Sequence, residues 1–136
     1  MSVKIMLVDD NPTFLSAVRR FLAMLSGVRV IAEAHDGEEA LVQAAWLRPD
    51  LVLLDIGLPV MNGLEVARRL QRWPQPPCIV FLSMHESSSY RDTAREIGVT
   101  GFVNKADFVV ELLPIIEKLI SEAHRGIVSF PQEKKK

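Results

Sequence analysis

Three patterns predict an α/β fold, a three-layer (βα)5 domain around a doubly wound parallel sheet. Short apolar runs recur five times, stretches of helical periodicity separate them, and Pro, Gly or Asn marks most of the joints. Runs that are apolar without alternation fit strands buried on both faces, which a parallel sheet covered by helices on each side provides. Strand–helix alternation with right-handed crossovers gives the layers. The strand order 2-1-3-4-5 is taken from the flavodoxin-like class, not from the residues themselves.

Lys4 to Val8 is the first run and stops at Asp9 and Asp10. Asn11 then caps a helix with Pro12 at its first position, where a missing N–H costs nothing. Phe14, Ala17, Val18, Phe21, Leu22 and Leu25 recur at three- and four-residue steps, one apolar stripe. Val28 to Ala34 reads as the second strand after Gly27. Glu38 to Leu47 reads as a helix with Ala40, Leu41, Ala44 and Ala45 inward, ended by Pro49.

Asp50 to Asp55 is again continuous and apolar up to its terminal carboxylate. The turn-rich segment Ile56 to Gly63 follows, then a helix from about Leu64 to Trp73, stopped by a Pro-rich segment. Cys78 to Leu82 is the fourth run and delivers Ser83. A helix near Ser87 to Ile97 closes at Gly98. Gly101 to Lys105 is the short fifth strand. Phe108 to Ala123 carries Val109, Leu112, Leu113, Ile116 and Ile120 on one side, with Pro114 in its first two turns as a source of kinking.

Composition narrows the function. The 136 residues fit one domain, able to bury roughly two-thirds of its unfolded surface without disulfides or a structural metal. Residues 1–123 form that domain and residues 124–136 a C-terminal tail or linker remnant. With a net charge of −1 and its 16 Lys and Arg scattered, the chain has no basic face for direct nucleic-acid or membrane binding. Arg68, Arg69 and Arg72 read as a solvated helix face, and Glu133 to Lys136 as a solvated tail. The single cysteine, Cys78, reads as a small buried side chain. No leader and no apolar stretch near 20 residues is present, so a cytoplasmic location is expected.

In the flavodoxin-like order, the polar residues at four strand ends converge: Asp9 and Asp10, Asp55, Ser83 and Lys105. Singly, each has an ordinary role as a cap or a surface charge; together they describe a site. Three crowded carboxylates repel one another and hold raised pKa values unless a cation joins them. Oxygen-only ligands suit Mg²⁺, which uses one or two carboxylates together with phosphate oxygens. Asp55 is then a nucleophile toward phosphorus, while Ser83 and Lys105 neutralise phosphoryl oxygens.

Over Val3 to Ala123 the chain resembles the receiver domains of two-component response regulators, the CheY-like superfamily. The motifs "LVDD" with "NP", "LLDIGLPVMNGLE", "LSMH" and "GFVNK" carry the resemblance, in order and at familiar separations. It implies a phosphoprotein of a phosphorelay that catalyses only its own phosphorylation and dephosphorylation, with Asp55 as the 4-aspartylphosphate. It implies Mg²⁺ held by Asp10, Asp55 and the Gly57 carbonyl, with Asp9 acting mostly through water. It also implies a switch in which Ser83 moves toward the phosphoryl group and Phe102 turns inward, remodelling the surface of the fourth helix, fifth strand and fifth helix. The implied partners are a histidine kinase or phosphotransfer protein, a downstream protein, and a second copy in a phosphorylation-dependent dimer.

The chain departs from the family at three places. Met84 replaces a small side chain and narrows access to Asp55. Ala106 follows Lys105 where many relatives have proline, so no cis peptide is expected there. Gly57 and His85 occupy the variable positions that tune autodephosphorylation, although His85 also reads as an ordinary surface residue.

Two rival classes fit less well. A haloacid-dehalogenase-type phosphatase carries Asp-x-Asp directly after its first strand, whereas Asp9 and Asp10 are adjacent and the candidate nucleophile follows the third strand. In an FMN-binding flavodoxin, that acidic pair would repel the phosphate. Output is open between a stand-alone receiver and the receiver part of a DNA-binding regulator, because "LSMH" and "RGIVSFPQ" resemble receivers that precede a helix-turn-helix domain.

Overall fold

The computed structural model of the chain describes residues 2–84 and 88–126. His85, Ser87, the segment 127–136 with its basic tail, and most of "RGIVSFPQ" lie outside the described residues. Five parallel strands are present: β1 (Val3–Val8), β2 (Val28–Ala34), β3 (Leu51–Asp55), β4 (Cys78–Ser83) and β5 (Gly101–Asn104). They line up as β2-β1-β3-β4-β5, the order expected for the flavodoxin-like class.

Within each central strand, successive side chains go to opposite faces. Ile5 and Leu7, Leu51 and Leu53, and Val80 and Leu82 meet the helices α1 (Pro12–Ala23) and α5 (Phe108–His124) in one core. Met6 and Val8, Val52 and Leu54, and Ile79 and Phe81 meet α2 (Gly37–Leu47), α3 (Gly63–Gln71) and α4 (Ser88–Ile97) in the other. This is why the runs look uniformly apolar: both faces are covered, and each buried Leu or Ile contributes about 2 kcal/mol.

The helix starts follow the sequence closely. The Asn11 side chain accepts from the Thr13 and Phe14 amides at 3.0 and 3.1 Å, with Pro12 at the first helical position. Asp36 and Asn62 accept in the same way from Glu39 and Glu65. Gly98 ends α4 at a φ of +89°, a left-handed conformation that favours glycine. α5 continues through Pro114, and no described peptide bond is cis.

Several expectations need correction. Ala45 is exposed, and Val109 is 44% exposed while Leu119 is buried, so the inner stripe of α5 runs Leu112, Ile116 and Leu119. β5 ends at Asn104, and Lys105 opens a 3-10 turn (Lys105–Asp107) before α5. Cys78 is half-buried, not fully enclosed. β1 and β2 pair with a bulge opposite Ile5 and Met6, which no local pattern marks.

Candidate functional site

β1 and β3 are neighbours whose last pair is Val8 and Leu54. The residues immediately beyond, Asp9 and Asp55, therefore sit side by side. Asp10 completes the group: carboxylate oxygens of Asp9, Asp10 and Asp55 all lie within 4.8 Å of one another, with Asp9 and Asp55 buried and Asp10 exposed. On the other side, Asp55 pairs with Leu82 and Ser83 pairs with Asn104, so Ser83 and Lys105 follow at the same edge of the sheet. The Lys105 ammonium lies 2.6 Å from Asp9 Oδ2 and 3.4 Å from Asp55 Oδ2.

Each acidic side chain is also held locally. Asp9 Oδ1 accepts from the Asn11 amide at 2.9 Å, and Asp55 Oδ1 accepts from the Gly57 amide at 3.0 Å. The Gly57 peptide is thereby drawn up beside the carboxylate. Asp9 Oδ2 is buried and faces the Lys105 ammonium at 2.6 Å. Three carboxylates this close, two of them buried, are a donor set of oxygens alone that one lysine does not neutralise.

The electrostatics point the same way. Burial holds the Asp55 carboxyl above the usual carboxylate range, the negative charge of Asp9 adds to this, and the Gly57 amide and Lys105 oppose it. Three carboxylates against one ammonium leave two negative charges when all are ionised. A divalent cation with oxygen ligands balances that charge and fits the donor set.

Phe102 is half-buried on β5, with the Arg91 guanidinium stacked 4.6 Å from its ring centroid. Met84, directly after Ser83, is 67% exposed. Arg68, Arg69 and Arg72 are exposed, and Arg69 pairs with Glu65 at 2.9 Å, whose carboxyl it holds below the usual range.

Sequence reasoning missed three neighbours of the site. Phe14 places its ring under Lys105, Glu111 accepts from the Asn104 amide at 2.9 Å, and Val60 adopts a φ of +65° in the loop after Asp55. A β-branched residue in that conformation costs about 1–3 kcal/mol, and only backbone geometry reveals it. A groove of about 430 Å³ between α1 and β2, lined by Arg19, Leu22 and the whole of Val28 to Glu33, contains none of these residues.

Residues 5–117 match the family described as the response regulator receiver domain. The chain is 35% identical to the transcriptional regulatory protein DegU of Brevibacillus brevis, over 84% of this chain and 50% of DegU. A two-component response regulator of the LuxR family from Aurantimonas sp. SI85-9A1 superposes with a TM-score of 0.82 at 34% identity, covering 89% of this chain and 86% of that one. The signal receiver domain of NarL from Mycobacterium tuberculosis gives a TM-score of 0.81 at 29% identity, covering 88% of this chain and 97% of that domain. The chain spans about half the length of the curated relatives it matches.

Proposed function

The chain belongs to the response regulator receiver family, and from that premise we propose that it takes a phosphoryl group onto Asp55 with Mg²⁺ and signals through a change of surface. One observation carries the reading: three carboxylates lie within 4.8 Å of one another where the parallel strands end, and two of them, Asp9 and Asp55, are 2.6 and 3.4 Å from the Lys105 ammonium.

Asp9, Asp10 and Asp55, with the Gly57 carbonyl, would hold the metal. When bound, Mg²⁺ supplies the positive charge that lets Asp55 remain ionised beside Asp9 and tolerate an incoming phosphate. An Asp55 carboxylate oxygen attacks phosphorus, the bond to the donor's leaving group breaks, and that group departs with its electron pair. Lys105 moves its ammonium from the carboxylates toward the phosphoryl oxygens, and Ser83 offers its hydroxyl to another. Phe102 and the surface of α4, β5 and α5 then settle into a second packing.

On this reading residues 1–123 are the receiver and 124–136 a tail or linker. The phosphodonor is a histidine kinase, a phosphotransfer protein or a small acyl phosphate. The output is a protein contact or a phosphorylation-dependent dimer, in the cytoplasm, with no direct nucleic-acid or membrane binding by this domain. Among the described residues, no helix is long and apolar enough to cross a membrane. The half-length match to a transcriptional regulator supports a second reading of the output, in which a DNA-binding effector follows the receiver.

Mass spectrometry of the intact protein after acetyl phosphate and Mg²⁺ tests the proposal. One phosphoryl group is expected on the wild type, none without Mg²⁺, and none on Asp55→Asn. Uptake by Asp55→Asn equal to that of the wild type refutes the assignment.

A further inference from the structure

We propose that Phe14 is a positioning residue for Lys105, holding the ammonium over its ring face so that it points between Asp9 and Asp55. The inference rests on the phosphoryl-site reading above and adds to it a residue that no charge pattern marks.

The Lys105 Nζ lies 4.7 Å from the centroid of the Phe14 ring. The Lys105 side chain is only 8% exposed, so little water competes for its ammonium. An ammonium over an aromatic face is attracted by the ring quadrupole, most strongly where it is desolvated. Asp9 and Asp55 supply the larger attraction, but as two negative points on one side of a long, flexible stem. The ring supplies the remaining wall. Its attraction is spread over a face and is not aimed along one bond, so the ammonium can slide from carboxylate to phosphoryl oxygen without leaving it.

The ring itself is held in place. Phe108 meets Phe14 edge-on, with centroids 5.4 Å apart and planes at 73°. Phe21 meets Phe108 in the same way at 5.8 Å and 85°. Phe108 begins α5 only three residues after Lys105, and Asn104 pins the intervening turn by accepting from the Ala106 amide at 2.9 Å. One aromatic stack thus fixes the orientation of Phe14 and the start of the element that follows Lys105. The ordinary reading makes Phe14 one more member of the apolar stripe of α1. It predicts that any apolar side chain of similar size serves equally well.

Phe14→Leu keeps apolar bulk and removes the ring, Phe14→Tyr keeps the ring, and Leu22→Ala destabilises the same helix far from Lys105. In metal-free protein, NMR of the Lys105 side chain is expected to show ring-current-shifted Hε protons in the wild type and Phe14→Tyr but not in Phe14→Leu. With Mg²⁺ present, beryllium fluoride is expected to bind roughly 2- to 10-fold more weakly to Phe14→Leu than to wild type, because without the ring face the long Lys105 side chain must be ordered on binding. Phe14→Tyr and Leu22→Ala should bind as the wild type does. Unshifted Hε protons in the wild type, wild-type binding by Phe14→Leu, or equal weakening by Leu22→Ala would each overturn the inference. A wild type with shifted protons that fails to bind beryllium fluoride instead refutes the phosphoryl-site reading and leaves the ring contact standing.

Discussion

Replacing Gly63 by alanine sets two effects of opposite sign against each other. Gly63 is the first residue of α3, and alanine is the better helix former by about 1 kcal/mol at an interior position, with less to gain at the first turn. A Cβ there, however, would sit 2.2 Å from the Asp55 carbonyl oxygen, 2.8 Å from the Ile56 Cα and 2.9 Å from the Asp55 carbonyl carbon. Carbon and oxygen approach to about 3.3 Å at the closest ordinary contact, so the two backbones must part by about 1 Å. All three neighbours are backbone, and no side chain can rotate aside. Overpacking of this kind costs about 3 kcal/mol, more than the helix gain returns. At about 3–5 °C per kcal/mol for a domain of this size, the net loss lowers the melting temperature by about 10 °C. The same movement pushes the Asp55 peptide out of register, so the Mg²⁺ response should weaken together with stability. Thermal unfolding followed by circular dichroism, with and without Mg²⁺, measures both. A Gly63→Ala protein that melts within about 2 °C of the wild type would show that the contact is not binding on the backbone.

Gly101→Ala provides a contrast, because its closest neighbour is the Ile115 Cδ1 tip at 2.9 Å, which can move; a melting loss as large as that of Gly63→Ala would contradict the distinction. Asp55→Asn should melt higher than the wild type at pH 7 in metal-free buffer. Burial and Asp9 raise the folded Asp55 pKa, so the stability this carboxyl contributes is complete below its unfolded value and lost as pH rises through the folded one. The gap between the two proteins therefore closes as the pH falls through the raised value, and a wild type that outlasts the variant at pH 7 would reverse the sign. Mg²⁺ at about 100 times its Kd should stabilise the wild type by about 2.7 kcal/mol. Denaturant melts at graded Mg²⁺ should find that gain gone in Asp10→Asn, and a full gain there would remove Asp10 from the ligand set.

The strands and the acidic site were legible because they depend on residue type and order alone. A run such as Leu51 to Asp55, apolar up to a terminal carboxylate, states both its burial and the edge at which it ends. Asn11 before Pro12 states a helix start for equally local reasons. Helix faces were harder to read. In α2, Ala40, Leu41, Val42, Ala44, Ala45, Trp46 and Leu47 are all apolar, so periodicity does not choose a side. Ala45 carries too little surface for its placement to matter energetically, and it ends exposed. In α5 the broad apolar run leaves the phase of its first turn undetermined. There the packing against the sheet face shared with α1 selects Leu112, Ile116 and Leu119 and releases Val109 to solvent.

Phe14 shows a different limit. Its spacing with Val18, Phe21 and Leu22 identifies the stripe that α1 turns to the sheet, and that reading is correct as far as it goes. The stripe extends one turn beyond the core, however, to the rim where β1 ends and the carboxylates begin. At that rim the same ring is apolar packing toward Phe108 and a cation-binding face toward Lys105. Hydrophobic periodicity records only the first of these properties, because the quadrupole of an aromatic ring adds nothing to a pattern of apolar and polar letters. The second depends on which residue arrives opposite. Lys105 is ninety-one positions away in sequence, and only the parallel register of β1, β3, β4 and β5 brings it there.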